Sequence, residues 1–134
     1  MEVQVTVSQT GEHYLSRISN GRHHSLADEP ISEGGTDEAF SPDEWLLGAL
    51  GSCTAITLRM YIDRKGWNIP ELKVELNMRR ETVSGETNTY FEREIRVPED
   101  TPTDQVERLL QIANACPLHK TLSGTNIIST KISG

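Results

Sequence analysis

Residues 41–67 read SPDEWLLGALGSCTAITLRMYIDRKGW, and this run folds only as a helix that the rest of the chain must accommodate. Ser41 is a natural N-cap, Pro42 suits the first turn, and Glu44 completes an S-x-x-E capping box. Arg64 and Lys65 fall in the last turn, where cations favour the helix dipole, and Gly66 stops the helix. From Trp45 to Ile56 the apolar residues surround the axis rather than forming one stripe. A helix apolar on all sides is buried on all sides. About 24 helical residues at ~1.5 Å each reach roughly 36 Å, longer than a small domain is wide. Such a helix calls for a sheet against it and a second subunit beyond. Gly48 and Gly51 cost about 1 kcal/mol each in helix propensity, and their small size lets another element come close.

Composition supports an oligomer. The 134 residues suffice for one domain over 1–134, but only 35% are apolar and 5% aromatic, which is lean for a chain with so apolar a central helix. The formal charge is −7 and the isoelectric point near 5.0, which argues against nucleic acid or an anionic membrane as partner. No run approaches ~18 consecutive apolar residues. Met1-Glu2-Val3 begins no signal peptide, so a cytoplasmic protein is expected.

The remaining elements follow in order. Met1 to Ser8 alternates, with Val3, Val5 and Val7 on one face, as in a half-buried strand. A turn at Gln9-Thr10-Gly11-Glu12 leads to a second strand, His13 to Ser19. Asn20-Gly21 reads as a type I′ hairpin turn and Arg22 to Leu26 as a third, polar strand. Ala27 to Phe40 is acidic and carries Pro30, Gly34 and Gly35, the composition of a solvated connector. Beyond the helix, Leu72 to Arg80 and Tyr90 to Val97 predict two strands around a polar turn. Phe91, Ile95 and Val97 of the second are available for burial. Thr103-Asp104 caps a helix with one apolar face (Val106, Leu109, Leu110, Ile112, Ala113), ending at Cys116-Pro117. A short helical turn follows through Lys120 and Leu122. Ile127 to Ile132 reads as a last strand. The order βββ-α-ββ-α-β segregates strands from helices, the mark of an α+β fold.

The two cysteines carry what chemistry the sequence offers. Cys53 lies in mid-helix and Cys116 at a helix end, with 62 residues between them. Taken alone, a helical cysteine such as Cys53 is more often a packed core thiol than a reagent. In a reducing compartment two cysteines are more often redox-active or free than a structural staple. An attacking and a resolving thiol, brought together by the fold, form one reading. A metal site from Cys53, Cys116, His119 and the pair His23-His24 forms another.

The runs Pro42-Asp43-Glu44-Trp45-Leu46-Leu47-Gly48-Ala49-Leu50-Gly51-Ser52-Cys53-Thr54 and Cys116-Pro117-Leu118-His119-Lys120-Thr121-Leu122 resemble the OsmC/Ohr family of thiol-dependent hydroperoxide reductases. Gly21-Arg22-His23, Asp28-Glu29-Pro30 and Gly34-Gly35 resemble an OsmC-like branch of it, so the likeness runs over essentially the whole chain. It implies an intertwined homodimer with two central helices between sheets. It implies that Cys53 attacks a hydroperoxide, that Cys116 resolves the product as a disulfide, and that an external dithiol restores both thiols. Neither metal nor other cofactor enters that cycle.

The resemblance also implies an arginine from the N-terminal strands, held by a carboxylate just before the cysteine helix. A thiol at its ordinary pKa of ~8.5 is only a few per cent ionised at neutral pH, so a nucleophilic thiol needs a cation. Arg22, beside the hairpin turn, is the first candidate and Arg17 the second. Asp43, ten positions before Cys53, is the carboxylate candidate, and Glu44 the alternative. Ten residues rise ~15 Å along a helix, so Asp43 would serve the cysteine of a partner chain. Serine or another small polar residue is usual in the family where His119 and Lys120 stand. A small-molecule-binding or metal-binding protein that keeps the fold without turnover is the alternative function.

Overall fold

The computed structural model describes residues 2–134 and divides into two compact units, residues 1–48 and 49–134, with one helix running through the boundary. In the N-terminal unit, β1 (Thr6–Gln9), β2 (Ser16–Ser19) and β3 (His24–Ala27) form an antiparallel meander in that order. Val7 pairs with Ile18 and Ser19 with His24. Each strand is shorter than its sequence pattern. Met1, the start of the first expected strand, lies outside the described residues. The second strand loses its beginning because Leu15 N–H turns back to Glu12 O and His13 takes a positive φ of 50°.

The turn after β2 is not type I′, which needs positive φ at both central residues. Its central pair is Gly21-Arg22, and of the two only Gly21 has positive φ, at 92°. Asn20 precedes the turn, and its Oδ1 accepts from the N–H groups of Arg22 and His23. The acidic connector is folded rather than merely solvated. Asp28 is buried and accepts from Glu29 N–H, Glu38 N–H and Thr36 Oγ1, and a 3-10 turn spans Ile31–Glu33. The expected capping box is present at the head of the long helix: Glu44 N–H donates to Ser41 Oγ and Ser41 N–H to Glu44 Oε1. Trp45 Nε1 donates to Leu26 O, tying the helix head to β3.

The long helix, α1 (Pro42–Lys65), buries Leu50, Gly51, Thr54, Leu58, Tyr61 and Ile62. These positions make one stripe at helical spacing. The expectation of burial on all sides is therefore not met within the chain, since Ile56 and Met60 on another face are exposed. By length and composition α1 is apolar enough to cross a membrane, yet its buried stripe belongs to a packed core.

The C-terminal unit adds β4 (Lys73–Val83) and β5 (Glu86–Arg96), paired in register from Lys73↔Arg96 to Val83↔Glu86. The two-residue turn between them, Ser84-Gly85, has φ of 54° and 81°, so the type I′ turn of this protein is here. Val74, Leu76, Met78, Phe91, Arg93 and Ile95 face inward, while Arg79 pairs with Glu81 and Glu92 on the exposed face. Gly51 permits the close packing: a Cβ there would stand 2.6 Å from Leu76 Cδ1. Gly48, by contrast, has nothing within 4 Å. α2 (Thr103–Ala113) packs Leu109 and Ala113 onto Leu58, Tyr61, Ile62 and Ile69. Full burial of a leucine or isoleucine here stabilises by about 1.5–3 kcal/mol. The expected short helical turn is α3 (Pro117–Ser123). The α+β class stands, but no strand forms at Ile127–Ile132. All three isoleucines there are exposed, and the segment pairs with none of the described strands.

Candidate active site

Cys53 points from the middle of α1, and Cys116 occupies the N-cap of α3, where Pro117 at the first position starts the helix. The fold brings the two together: Cys116 Sγ lies 3.5 Å from Cys53 Sγ, and both are free thiols. Cys116 is fully buried and Cys53 partly exposed. A disulfide needs ~2.05 Å between sulfurs, so about 1.5 Å of approach would join them.

The buried thiol has the richer set of donors. His119 N–H donates to Cys116 Sγ at 3.4 Å, and the Thr54 hydroxyl lies 3.9 Å away. Burial pushes the Cys116 thiol up, but His119 N–H, Cys53, the Thr54 hydroxyl and Leu118 N–H together hold it below the usual thiol range.

Arg93 stands behind this set, half-buried on the inward face of β5. Its Nη1 donates to Thr54 Oγ1 at 3.0 Å, and its Nη2 to Asn114 Oδ1 at 3.2 Å and His119 Nδ1 at 2.9 Å. A guanidinium has no acceptor, so Nδ1 of His119 must accept, and a neutral ring carries its proton on Nε2. Sequence reasoning missed Arg93. Its signal was nonetheless present, because the alternation that sends Phe91, Ile95 and Val97 inward sends Arg93 with them. A cavity of about 460 Å³ opens beside it, lined by Leu50, Phe91, Ile95, Leu110 and His119 among others.

The other expected residues belong to the N-terminal unit. Arg22 is exposed at the hairpin tip and Arg17 exposed in β2. Asp43 is exposed in the first turn of α1, and Glu44 is engaged in the capping box. Among the described residues no group of three His, Cys, Asp or Glu is arranged to hold a metal ion.

A long core helix bearing one thiol, with a second thiol capping a short helix beside it, defines an α+β dithiol protein. A family model described as OsmC-like protein matches residues 35–131, and the chain belongs to the OsmC family. Solved structures agree in fold. An OsmC-like protein from Mycoplasma pneumoniae superposes with TM-score 0.74 at 20% identity, over 92% of this chain and 89% of that one. An organic hydroperoxide resistance protein, OsmC, from Legionella pneumophila gives 0.67 at 13%, over 90% of each chain. The organic hydroperoxide resistance protein OhrB of Bacillus subtilis gives 0.65 at 15%, over 92% of each. No curated protein sequence matches the chain.

Proposed function

We propose that the protein is a cytoplasmic thiol-dependent hydroperoxide reductase that cycles through a Cys53–Cys116 disulfide. The observation that carries this reading is the 3.5 Å separation of two free thiols of unequal exposure. The family and the hydroperoxide resistance proteins among its structural neighbours support it. Cys53, the accessible thiol, attacks the distal oxygen of an organic hydroperoxide as a thiolate. The O–O bond breaks, an alcohol leaves once protonated, and Cys53 becomes a sulfenic acid. Cys116 displaces hydroxide from that sulfur, water is released and the disulfide forms. An external dithiol then reduces it.

The working unit on this reading is a homodimer acting as one OsmC-like domain per chain. Leu46, Ile56 and Met60 of α1 and the exposed Val3, Val5 and Val7 supply the apolar surface a second copy would cover. Arg22 is the cation that ionises Cys53, oriented by Asp43 of the partner subunit.

The test is stoichiometric cumene hydroperoxide followed by intact-mass analysis. Each chain should lose two hydrogen atoms, two protons and two electrons, as one intramolecular disulfide, and Cys116→Ser should hold Cys53 as a sulfenic or over-oxidised acid. Two free thiols after treatment would end the peroxidase reading. In the same assay Arg22→Met should slow oxidation at least ~10-fold, the range a lost neighbouring charge produces, and Arg17→Met should change little.

A further inference from the structure

The inward row of β5 carries a charge where its neighbours are apolar. A half-buried guanidinium needs partners, and two of those of Arg93 lie against one sulfur. Thr54 Oγ1, which takes Nη1, lies 3.9 Å from Cys116 Sγ. His119, which takes Nη2 on its ring, donates its backbone N–H to the same sulfur. Asn114, which also takes Nη2, stands two residues before Cys116. The Thr54 hydroxyl has one proton and two lone pairs. Arg93 occupies one lone pair. The proton rests on Leu50 O at 2.7 Å and can swing to Cys116 when that sulfur is charged.

We propose that Arg93 is a positioning residue that makes Cys116, rather than Cys53, the sulfur that leaves as thiolate when the Cys53–Cys116 disulfide is reduced. Burial sets the same direction. An external thiol reaches partly exposed Cys53, whereas Cys116 is 0% exposed. The reductant's thiolate bonds to Cys53 Sγ, the Cys53–Cys116 bond breaks, and its electron pair goes to Cys116 Sγ, where the Thr54 and His119 donors receive it. The reductant's second thiol then attacks its own sulfur in the mixed disulfide, closes its disulfide and frees Cys53. The titratable and charged groups around Cys116 are Cys53 from α1, Arg93 from β5 and His119 from α3. The lowered Cys116 thiol agrees with this assignment.

The assignment rests on the peroxidase reading only for the origin of the disulfide, so the test prepares that disulfide with diamide. Cysteamine is added, the mixed disulfide is trapped by acid and mapped by peptide mass. It should sit on Cys53, with Cys116 free, and cysteamine on Cys116 overturns the proposal. Arg93→Met should slow dithiothreitol reduction roughly three- to tenfold, because a poorer leaving thiolate departs more slowly. In a Cys53→Ser background, the ultraviolet absorbance of the Cys116 thiolate should titrate at least ~1 unit higher in Arg93→Met. Thr54→Val should move it in the same direction, and Thr54→Ser, which keeps the hydroxyl, should restore it. Should Arg93→Met fail to fold, the Thr54 pair decides alone. A Cys116 titration unchanged by Thr54→Val, or by a folded Arg93→Met, removes Arg93 from this role. A diamide disulfide that behaves as stated in a protein inert to hydroperoxide leaves this proposal standing and ends the peroxidase reading.

Discussion

The N-terminal meander and the β4–β5 hairpin are both antiparallel, yet they bury their side chains very differently. The hairpin's strands run eleven residues each and alternate half-buried with exposed positions over most of their paired length. The meander's strands have four residues each, and every residue of β1 is exposed. Both sequences alternate, so alternation alone does not bury a face. The hairpin has α1, α2 and a fully buried Leu58 to receive its inward row, whereas Val3, Val5 and Val7 stay more than half exposed. A strand pattern states which face is to be buried, and a different surface must do the burying.

The sharpest way to break this contrast is truncation on each side. Leu58→Ala should cost about 2–5 kcal/mol in urea unfolding, since it opens a cavity in a closed core. Val7→Ala should stay within about 0.5 kcal/mol when the chain is dilute. A larger Val7 loss that grows with protein concentration would mean a second copy covers the meander. The paired glycines of α1 give a smaller effect. Gly51→Ala drives a Cβ toward Leu76, and overpacking of about 1–3 kcal/mol should outweigh the ~1 kcal/mol gained in propensity. Gly48→Ala meets nothing within 4 Å and should stabilise a lone chain; destabilisation instead would locate a covering surface. Asp28 should have the smallest effect. Burial pushes its carboxyl up, but N–H groups of Glu38 and Glu29 and the Thr36 hydroxyl outweigh that and hold it below the ordinary value. Its contribution is complete above the unfolded value of ~3.9 and is lost as pH falls through the lower folded value. Asp28→Asn should therefore flatten the acid end of a Tm-against-pH curve while lowering Tm near neutrality.

The helices and the fold class were legible because capping chemistry and apolar spacing are local. Ser41, Glu44, Gly66 and the Leu109–Ala113 face each announce themselves within a few residues. The site was legible only in part. The cysteines were identifiable through family resemblance, and their approach to 3.5 Å is tertiary. The inward position of Arg93 was legible from the strand alternation, but its role was not, because its partners Thr54 and His119 lie 39 and 26 residues away in sequence. The type I′ turn was misplaced because Asn20-Gly21 has the right composition one residue out of register, whereas Ser84-Gly85 has the right geometry. The last strand was expected from a β-branched run, but a strand is made by pairing, and this run pairs with none of the described strands.

The protein also carries two built-in optical reporters. Each unit holds one tryptophan, in its own aromatic setting. Trp45 stands edge-on to Phe40 at 5.5 Å, with its indole N–H on Leu26 O. Trp67 stands edge-on to Tyr61 at 5.4 Å, within the Leu58 cluster. Emission from a Trp67→Phe chain therefore follows the β3 end of the long helix, and emission from a Trp45→Phe chain follows the core beneath the thiols. Coincident or separate transitions in the two chains tell whether a helix shared by two units makes them melt as one.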